Sequence, residues 1–331
     1  MTVQDWLQTN TYHHSEFQDI SRLVELKEEQ DLTITVSLPT LNEEETIAKE
    51  LILIRTELMI KNPLVDEIAV VDSGSDDRTR EIAEEYGASV FLASEYLEEE
   101  GVYQGKGENL WKTLYLLEGD IIVYLDADIK NIDPKFVYGL VGPLLEREEL
   151  GYVKAFYDRP LEVGTEQRSS GGGRVTEILV RPLLNLFFPK LAGMIQPLSG
   201  EYAGRRSVLE QLPFFIGYGV ETGLLIDIGE RFGIESIAQV DLDRRVHHNQ
   251  DLQSLSKMAF GILQTFFNRV DELDKIKLKQ NLGKVFRTIL AADEEFSLQD
   301  HDLPEIERPP ILQLEQYRQK HNREFDQEPV L

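Results

Sequence analysis

Two carboxylates flank a small residue in Asp126-Ala127-Asp128, directly after the apolar run Ile121-Ile122-Val123-Tyr124-Leu125. Such a pair can hold a divalent cation together with the phosphate oxygens it bridges, because magnesium prefers hard oxygen ligands and keeps one or two carboxylates beside substrate phosphates. A D-x-D triplet also ends strands by chance. Its place beyond a buried-type strand favours the ligand reading, since open α/β sheets bind ligands at the carboxyl ends of their strands. His247 and His248, in Arg245-Val246-His247-His248-Asn249, offer an imidazole as a further ligand, and spacing alone does not choose between them.

Three other segments carry chemistry. Gly171-Gly172-Gly173-Arg174 precedes a helical stretch, where backbone amides can approach an anion and Arg174 can add a bidentate contact; the alternative is a flexible loop after Ser169-Ser170. Gly105-Lys106-Gly107 lacks the full G-x-x-x-x-G-K-[ST] phosphate-loop pattern, yet a lysine opening a helix can neutralise one phosphate. Glu221, in Gly217-Tyr218-Gly219-Val220-Glu221, falls in a first helical turn, where the helix dipole alone accounts for it. The neighbouring glycines also leave room for a ligand.

Composition narrows the options. The chain of 331 residues has no cysteine, which excludes disulfides, cysteine-ligated zinc, iron–sulfur clusters and thiol catalysis. Any metal must use oxygen or imidazole ligands, which points to magnesium or manganese. The net charge of −26 repels nucleic acid and anionic membranes, so a phosphorylated substrate needs a local group of cations. No apolar run approaches the roughly 20 residues of a spanning helix. The N-terminus does not read as a secretory signal, and a cytoplasmic location is expected.

The elements that position these residues alternate. Strands are predicted at Thr33–Leu38, Ile68–Val71, Ala88–Leu92 and Asp120–Leu125, with helices between them carrying Ile47, Leu51, Ile54 and Leu58, then Ile82 and Ala83, then Leu110 and Leu114. Pro39 is expected to break the first strand. This order predicts a doubly wound, mostly parallel sheet with helices on both faces, and places Pro39–Asn42, Asp72–Ser75 and Asp126–Asp128 side by side. Further on, Gly151–Tyr157 and Ile234–Val240 read as strands, and Val175–Phe188, Val220–Arg231 and 252–293 as helical. Residues 1–30 read as a polar arm and Pro304 onward as an extended tail or short helix. The expected division is an arm (1–30), a central α/β domain (31–251, in halves 31–150 and 151–251) and a C-terminal helical segment with tail (252–331).

Pro39-Thr40-Leu41-Asn42-Glu43-Glu44, Asp72-Ser73-Gly74-Ser75, Gly105-Lys106-Gly107-Glu108 and the D-x-D triplet together resemble GT-A glycosyltransferases. Gly171–Glu177, Gln196–Tyr202, Gly217–Glu221 and Arg245–Asn249 narrow the resemblance to the glucosyl-3-phosphoglycerate synthase family, over roughly residues 33 to 250. The resemblance implies a retaining transfer of glucose from UDP- or GDP-glucose to the 2-hydroxyl of 3-phosphoglycerate, a GT-A fold and a homodimer. It implies donor contacts from Pro39, Thr40, Leu41, Glu43, Asp72, Ser73, Lys106, Asp126, Ser199, Gly200, Glu221 and Arg245. Asp128 and His247 would bind the metal, Mg2+ with Mn2+ or Co2+ as alternatives. The R-x-H-x-N spacing of the family selects His247 over His248. Gly173, Arg174, Thr176 and Asn249 would hold the acceptor, and Glu221 with Asp128 would serve catalysis. Ser199 stands where the family is expected to have Gly.

Competing readings keep the fold. They are a mannosyl-3-phosphoglycerate synthase using GDP-mannose, a transferase with a lipid or polysaccharide acceptor, a binding protein without turnover, and a nucleotidyltransferase. The last would carry a Gly-rich basic loop after the first strand, where this chain has the acidic Pro-Thr-Leu-Asn-Glu-Glu.

Overall fold

Apolar strands and amphipathic helices alternate around an eight-stranded sheet in the computed structural model, which describes residues 1–158, 161–163, 166–168, 173–246, 251–292 and 295–324. The first thirty residues hold helix α1 (Val3–Thr9), strand β1 (Thr11–His13) and helix α2 (Ile20–Glu29). Then β2 (Ile34–Thr40), α3 (Ile47–Ile54), β3 (Glu67–Asp72), α4 (Thr79–Glu85), β4 (Ser89–Leu92), α5 (Lys106–Leu116) and β5 (Ile121–Tyr124) alternate. Helix α6 (Lys135–Glu146) leads to β6 (Tyr152–Asp158) and the short antiparallel pair β7 (Leu161–Val163) and β8 (Glu166–Arg168). Next come α7 (Arg181–Phe187), β9 (Tyr202–Arg205), α8 (Arg206–Leu209), β10 (Phe214–Phe215), α9 (Val220–Arg231) and β11 (Ile237–Arg244). The last part contains α10 (Leu252–Glu272), the hairpin β12 (Val285–Ala292) and β13 (Glu295–Asp302), β14 (Glu307–Arg308) and α11 (Glu315–His321).

The sheet order is β1-β11-β6-β9-β5-β2-β3-β4, and β9 alone runs antiparallel to its neighbours. This is the mostly parallel, doubly wound sheet that the alternation predicts. Strands β5, β2 and β3 lie adjacent, so their carboxyl-end loops meet. Strand β2 runs through Pro39 to Thr40 instead of breaking. Its pairing with β5 stops at Ser37, so Pro39 pairs only with Val71 of β3 and its missing N–H leaves no gap in the ladder.

Side chains alternate across the strands, and each face has its own core. Val36, Leu38, Ile121 and Val123 pack with Leu51 and Phe136 on one face. Ile122, Tyr124, Tyr152 and Tyr202 pack on the other with Trp111 of α5, Leu224 of α9 and Phe266 of α10.

Two expectations change. Residues 1–30 are not a free arm: β1 pairs in parallel with β11, and buried Trp6 donates from Nε1 to the Ile237 carbonyl at 2.9 Å. His13 and His14 contact Asp243 at 3.0 and 2.7 Å, closing the arm onto the end of β11. The stretch 252–293 is not helical throughout. Helix α10 stops at Glu272, and Val285–Ala292 forms a strand with Phe286 against Phe260 at 5.3 Å between ring centres. Of the two readings of the end, the short helix is the one seen: α11 buries Tyr317, and β14 before it pairs with β10. Two boundaries also shift. A π-helical turn (Thr176–Val180) precedes α7, and β11 begins three residues late, after a 3-10 turn at Ile234–Ser236. Among the described residues no helix is long and apolar enough to cross a membrane.

Candidate active site

The turn after β5 gathers charged groups from four elements. Lys106, at the start of α5, donates to Asp126 Oδ1 at 2.5 Å and lies 2.9 Å from Glu221 Oε1 in the first turn of α9. Arg245, just past β11, donates through Nη2 to Asp126 Oδ2 at 3.0 Å and to Asp128 Oδ1 at 2.6 Å. Its Nε lies 2.9 Å from Glu201 Oε1 as an ion pair without hydrogen-bond alignment. The Tyr157 hydroxyl donates to the other Glu201 oxygen, and its ring lies 5.8 Å from the guanidinium. Helix α3 holds the turn from the other side. Thr46 Oγ1 donates to the Ala127 carbonyl at 2.6 Å, and Glu50 Oε1 accepts from the Ile129 N–H at 2.9 Å.

Burial dominates the electrostatics of the site. Burial, then the Asp128 charge, push Glu43 up to about 7 against the bond from Thr46. Burial drives Glu50 well above the usual carboxylate range, with Asp128 adding, and its Oε2 has no hydrogen-bond partner. Burial works to lower the Lys106 ammonium, but Asp126 and Glu221 outweigh it and hold the charge firmly. Arg245 follows the same pattern, with Glu201 the largest attraction against burial. The carboxylates paired with these two cations, Asp126, Asp128, Glu201 and Glu221, outnumber them in a partly buried site. That surplus, with paired hard oxygens on Asp126 and Asp128, suits a divalent cation.

The loops expected on the donor side are built by local bonds. Asp72 is fully buried; its Oδ1 accepts from the Gly74 and Ser75 N–H groups at 2.9 and 2.7 Å, and its Oδ2 accepts from Thr40 and Ser75 hydroxyls at 2.8 and 2.5 Å. It therefore shapes the loop that presents Ser73 and offers no open oxygen. Pro39 is half-buried, Thr40 buried and Leu41 exposed, lining the same edge. The Ser199 hydroxyl donates to the Ala155 carbonyl at 2.6 Å. It points into the sheet and takes no room beside Asp126. Gly200 is required, because a Cβ there would collide with the Asp126 carboxylate.

Other glycines prove to be packing devices. A Cβ on Gly105 or Gly107 would strike the Ile216 or Phe215 carbonyl, so these residues let the start of α5 dock. The Gly217–Gly219 loop is occupied by the chain itself: the Gly217 N–H donates to Glu305 at 3.2 Å, and burial pushes that carboxyl up to about 7.

On the expected acceptor side, Gly173 takes a left-handed φ of 78°, Arg174 is exposed and Thr176 is buried at the start of the π-helical turn. Gly171, Gly172, His247, His248 and Asn249 lie outside the described residues. Sequence reasoning assigned no role to Glu201, Tyr157, Glu50 or Lys154. The signal for Lys154 was a lysine inside Tyr152-Val153-Lys154-Ala155-Phe156, a run otherwise typical of a buried strand.

The sequence pattern of glycosyl transferase family 2 matches residues 35–217. A glucosyl-3-phosphoglycerate synthase from Petrotoga mobilis is 54% identical over 322 residues, which span 97% of this chain and 99% of that one. The chain belongs to glycosyl transferase family 2, among its glucosyl-3-phosphoglycerate synthases. Solved structures agree with this family membership. The mannosyl-3-phosphoglycerate synthase of Rubrobacter xylanophilus superposes with a TM-score of 0.85 at 35% identity, covering 94% of this chain and 97% of that one. The glucosyl-3-phosphoglycerate synthase of Mycobacterium tuberculosis, in complex with Mn2+, UDP and glucosyl-3-phosphoglycerate, gives a TM-score of 0.76 at 40% identity, covering 88% and 94%. In this chain the sequence-predicted residues Lys106, Asp126, Asp128, Glu221 and Arg245 converge at the Asp126–Asp128 edge of the sheet.

Proposed function

We propose that this glycosyltransferase moves glucose from UDP- or GDP-glucose to the 2-hydroxyl of 3-phosphoglycerate, with retention, in the cytoplasm. The observation that carries the reading is the convergence of Asp126, Asp128, Lys106 and Arg245 on one sheet edge, hard oxygens interleaved with cations as a metal-bound diphosphate requires. The ligands named for the Mycobacterium tuberculosis relative support the same substrate pair.

Cleavage at the anomeric carbon leaves negative charge on the departing diphosphate. Lys106 and Arg245 would meet that charge from positions already set by Asp126, Glu221 and Glu201. A divalent cation held by Asp128 and His247 would add Lewis-acid neutralisation of the diphosphate. Arg245 Nη2 would exchange the Asp128 oxygen for a phosphate oxygen, while Glu201 and Tyr157 keep the rest of the guanidinium in place. Glu221 would accept bonds from the donor sugar hydroxyls. Its Oε1 is paired with Lys106 at 2.9 Å, which makes it a poor nucleophile. Attack by the acceptor hydroxyl on the leaving-group face therefore fits better than a covalent intermediate. Pro39, Thr40, Leu41, Glu43 and Ser73 would line the nucleoside side, and Gly173, Arg174, Thr176 and Asn249 the acceptor.

Assaying the UDP and GDP forms of glucose and mannose against 3-phosphoglycerate tests this. Turnover of a glucose donor is expected; turnover of GDP-mannose alone would overturn the glucosyl assignment in favour of the reading that the Rubrobacter xylanophilus structure supports. We also infer a homodimer. One face of the β12–β13 hairpin exposes Ile289 (70%), Phe296 (78%) and Leu298 (63%), with Ile289 paired to Leu298. A contiguous apolar surface of this kind marks an association site.

A further inference from the structure

Lys154 stands in the middle of β6 and is fully buried. Among the described residues it has no carboxylate at ion-pair distance. Its Nζ donates to the Ser199 carbonyl at 2.9 Å, has a long contact of 3.4 Å with the Tyr152 hydroxyl, and lies 4.5 Å from the centre of the Tyr202 ring. The Tyr202 hydroxyl beside it has no partner. An ammonium has three protons to place, and here it finds one well-placed acceptor and a π face. Such a group weakens a fold relative to an apolar side chain of similar volume. Burial pulls Lys154 down to about 7, with Lys106 adding to that fall and Glu221, Glu201 and Asp126 opposing it. A residue that lowers stability and sits under a reaction centre is one that function retains.

Its contact identifies what it does. The Ser199 carbonyl belongs to the turn that delivers Gly200 against Asp126, where no Cβ fits. Ser199 is also pinned through its hydroxyl to Ala155 and through its N–H to the Gln196 carbonyl at 3.1 Å. Lys154 is therefore the third clamp on one residue, and the one that brings charge. We infer that Lys154 is a positioning residue for glycosyl transfer: by holding the Ser199 carbonyl it fixes the Ser199–Gly200 turn against Asp126 and sets a buried cation beneath Asp126, Glu221 and Lys106. This rests on the transferase reading of the same site.

The test uses Lys154→Met and Lys154→Arg in the full chain. With Lys154→Met, kcat should fall about tenfold to a hundredfold while the donor KM changes little, the scale of loss expected from a slight misplacement at a reaction centre. Its thermal midpoint at neutral pH should equal or exceed that of the wild type. Because the folded lysine titrates near 7 and the unfolded one near its ordinary, higher value, wild-type stability should climb across that interval and the gap should close. The wild-type kcat should lose activity as pH rises past about 7. Lys154→Arg should recover part of the rate and lack that limb. Hydrogen exchange over Gln196–Tyr202 should quicken in Lys154→Met. A Met variant with unchanged kcat, or one that merely melts earlier, overturns the proposal. Unchanged exchange across Ser199–Gly200 does so too, and that readout needs no turnover. A wild type inert towards every donor would instead sink the proposed function.

Discussion

Asp128 shares its Oδ1 with Arg245 Nη2 at 2.6 Å, so an arginine stands where the proposed cation and donor phosphate would meet. Removing this carboxylate leaves Arg245 with Asp126 and Glu201 and relieves the like-charge pressure on Glu43 and Glu50. Asp128→Ala should therefore lower turnover by about a hundredfold or more while changing folding stability by no more than roughly 1 kcal/mol. Donor turnover and thermal denaturation of the same preparation check it; surviving activity would remove Asp128 from the metal-binding role. At this scale the sequence was informative where residue type carries the chemistry. Asp126, Asp128, Lys106, Arg245 and Glu221 were legible, and the structure brings them together. Glu201 and Tyr157 were not, because their role is to hold Arg245 and depends on β6 and β9 lying side by side. Asp72 was read as a ligand group, and the structure shows its oxygens occupied by loop donors.

The N-terminal turn of α5 carries Lys106, and its seat depends on segments far along the chain. Arg308 of β14 donates to both oxygens of Glu108 at 2.6 and 2.7 Å, with both side chains buried. Gly105 and Gly107 let the same turn dock on the Phe215–Ile216 backbone. Arg308→Ala would strand the Glu108 carboxylate with Lys112 at 3.1 Å. The expected loss is about 3–5 kcal/mol, typical of breaking a buried pair from one side. Denaturant unfolding measures it, and a loss within roughly 0.5 kcal/mol, the range of an ordinary surface substitution, would show that the pair does not anchor α5. Helices α3, α5 and α9 were legible from their apolar spacing. The hairpin was not, because Val285-Phe286-Arg287-Thr288-Ile289-Leu290 sets apolar and polar residues in pairs, which fits a helix face better than the alternation of a strand. Helix α1 and the turn after β1 were missed because each buries one large side chain, Trp6 or Phe17, which makes no period; α2 does carry a helical spacing in Ile20, Leu23, Val24 and Lys27, within a stretch that is otherwise polar.

For the molecule as a whole, the exposed face of Ile289, Phe296 and Leu298 belongs to a hairpin whose other face is seated through Phe286 on Phe260. Changing Ile289 and Phe296 to Asp together should convert the proposed dimer to monomers without unfolding the sheet, as read by light scattering and thermal denaturation. A wild type that is already monomeric would refute the proposed dimer. By itself the sequence determined the doubly wound sheet and the sheet edge on which Asp126-Ala127-Asp128 stands, because strand periodicity and residue type are local properties. Only the tertiary structure decided that β9 enters antiparallel between β5 and β6, that Glu305 occupies the Gly217–Gly219 loop, and that Lys154 clamps Ser199. Those facts arise from contacts between residues about 45 to 90 positions apart, which no local pattern encodes.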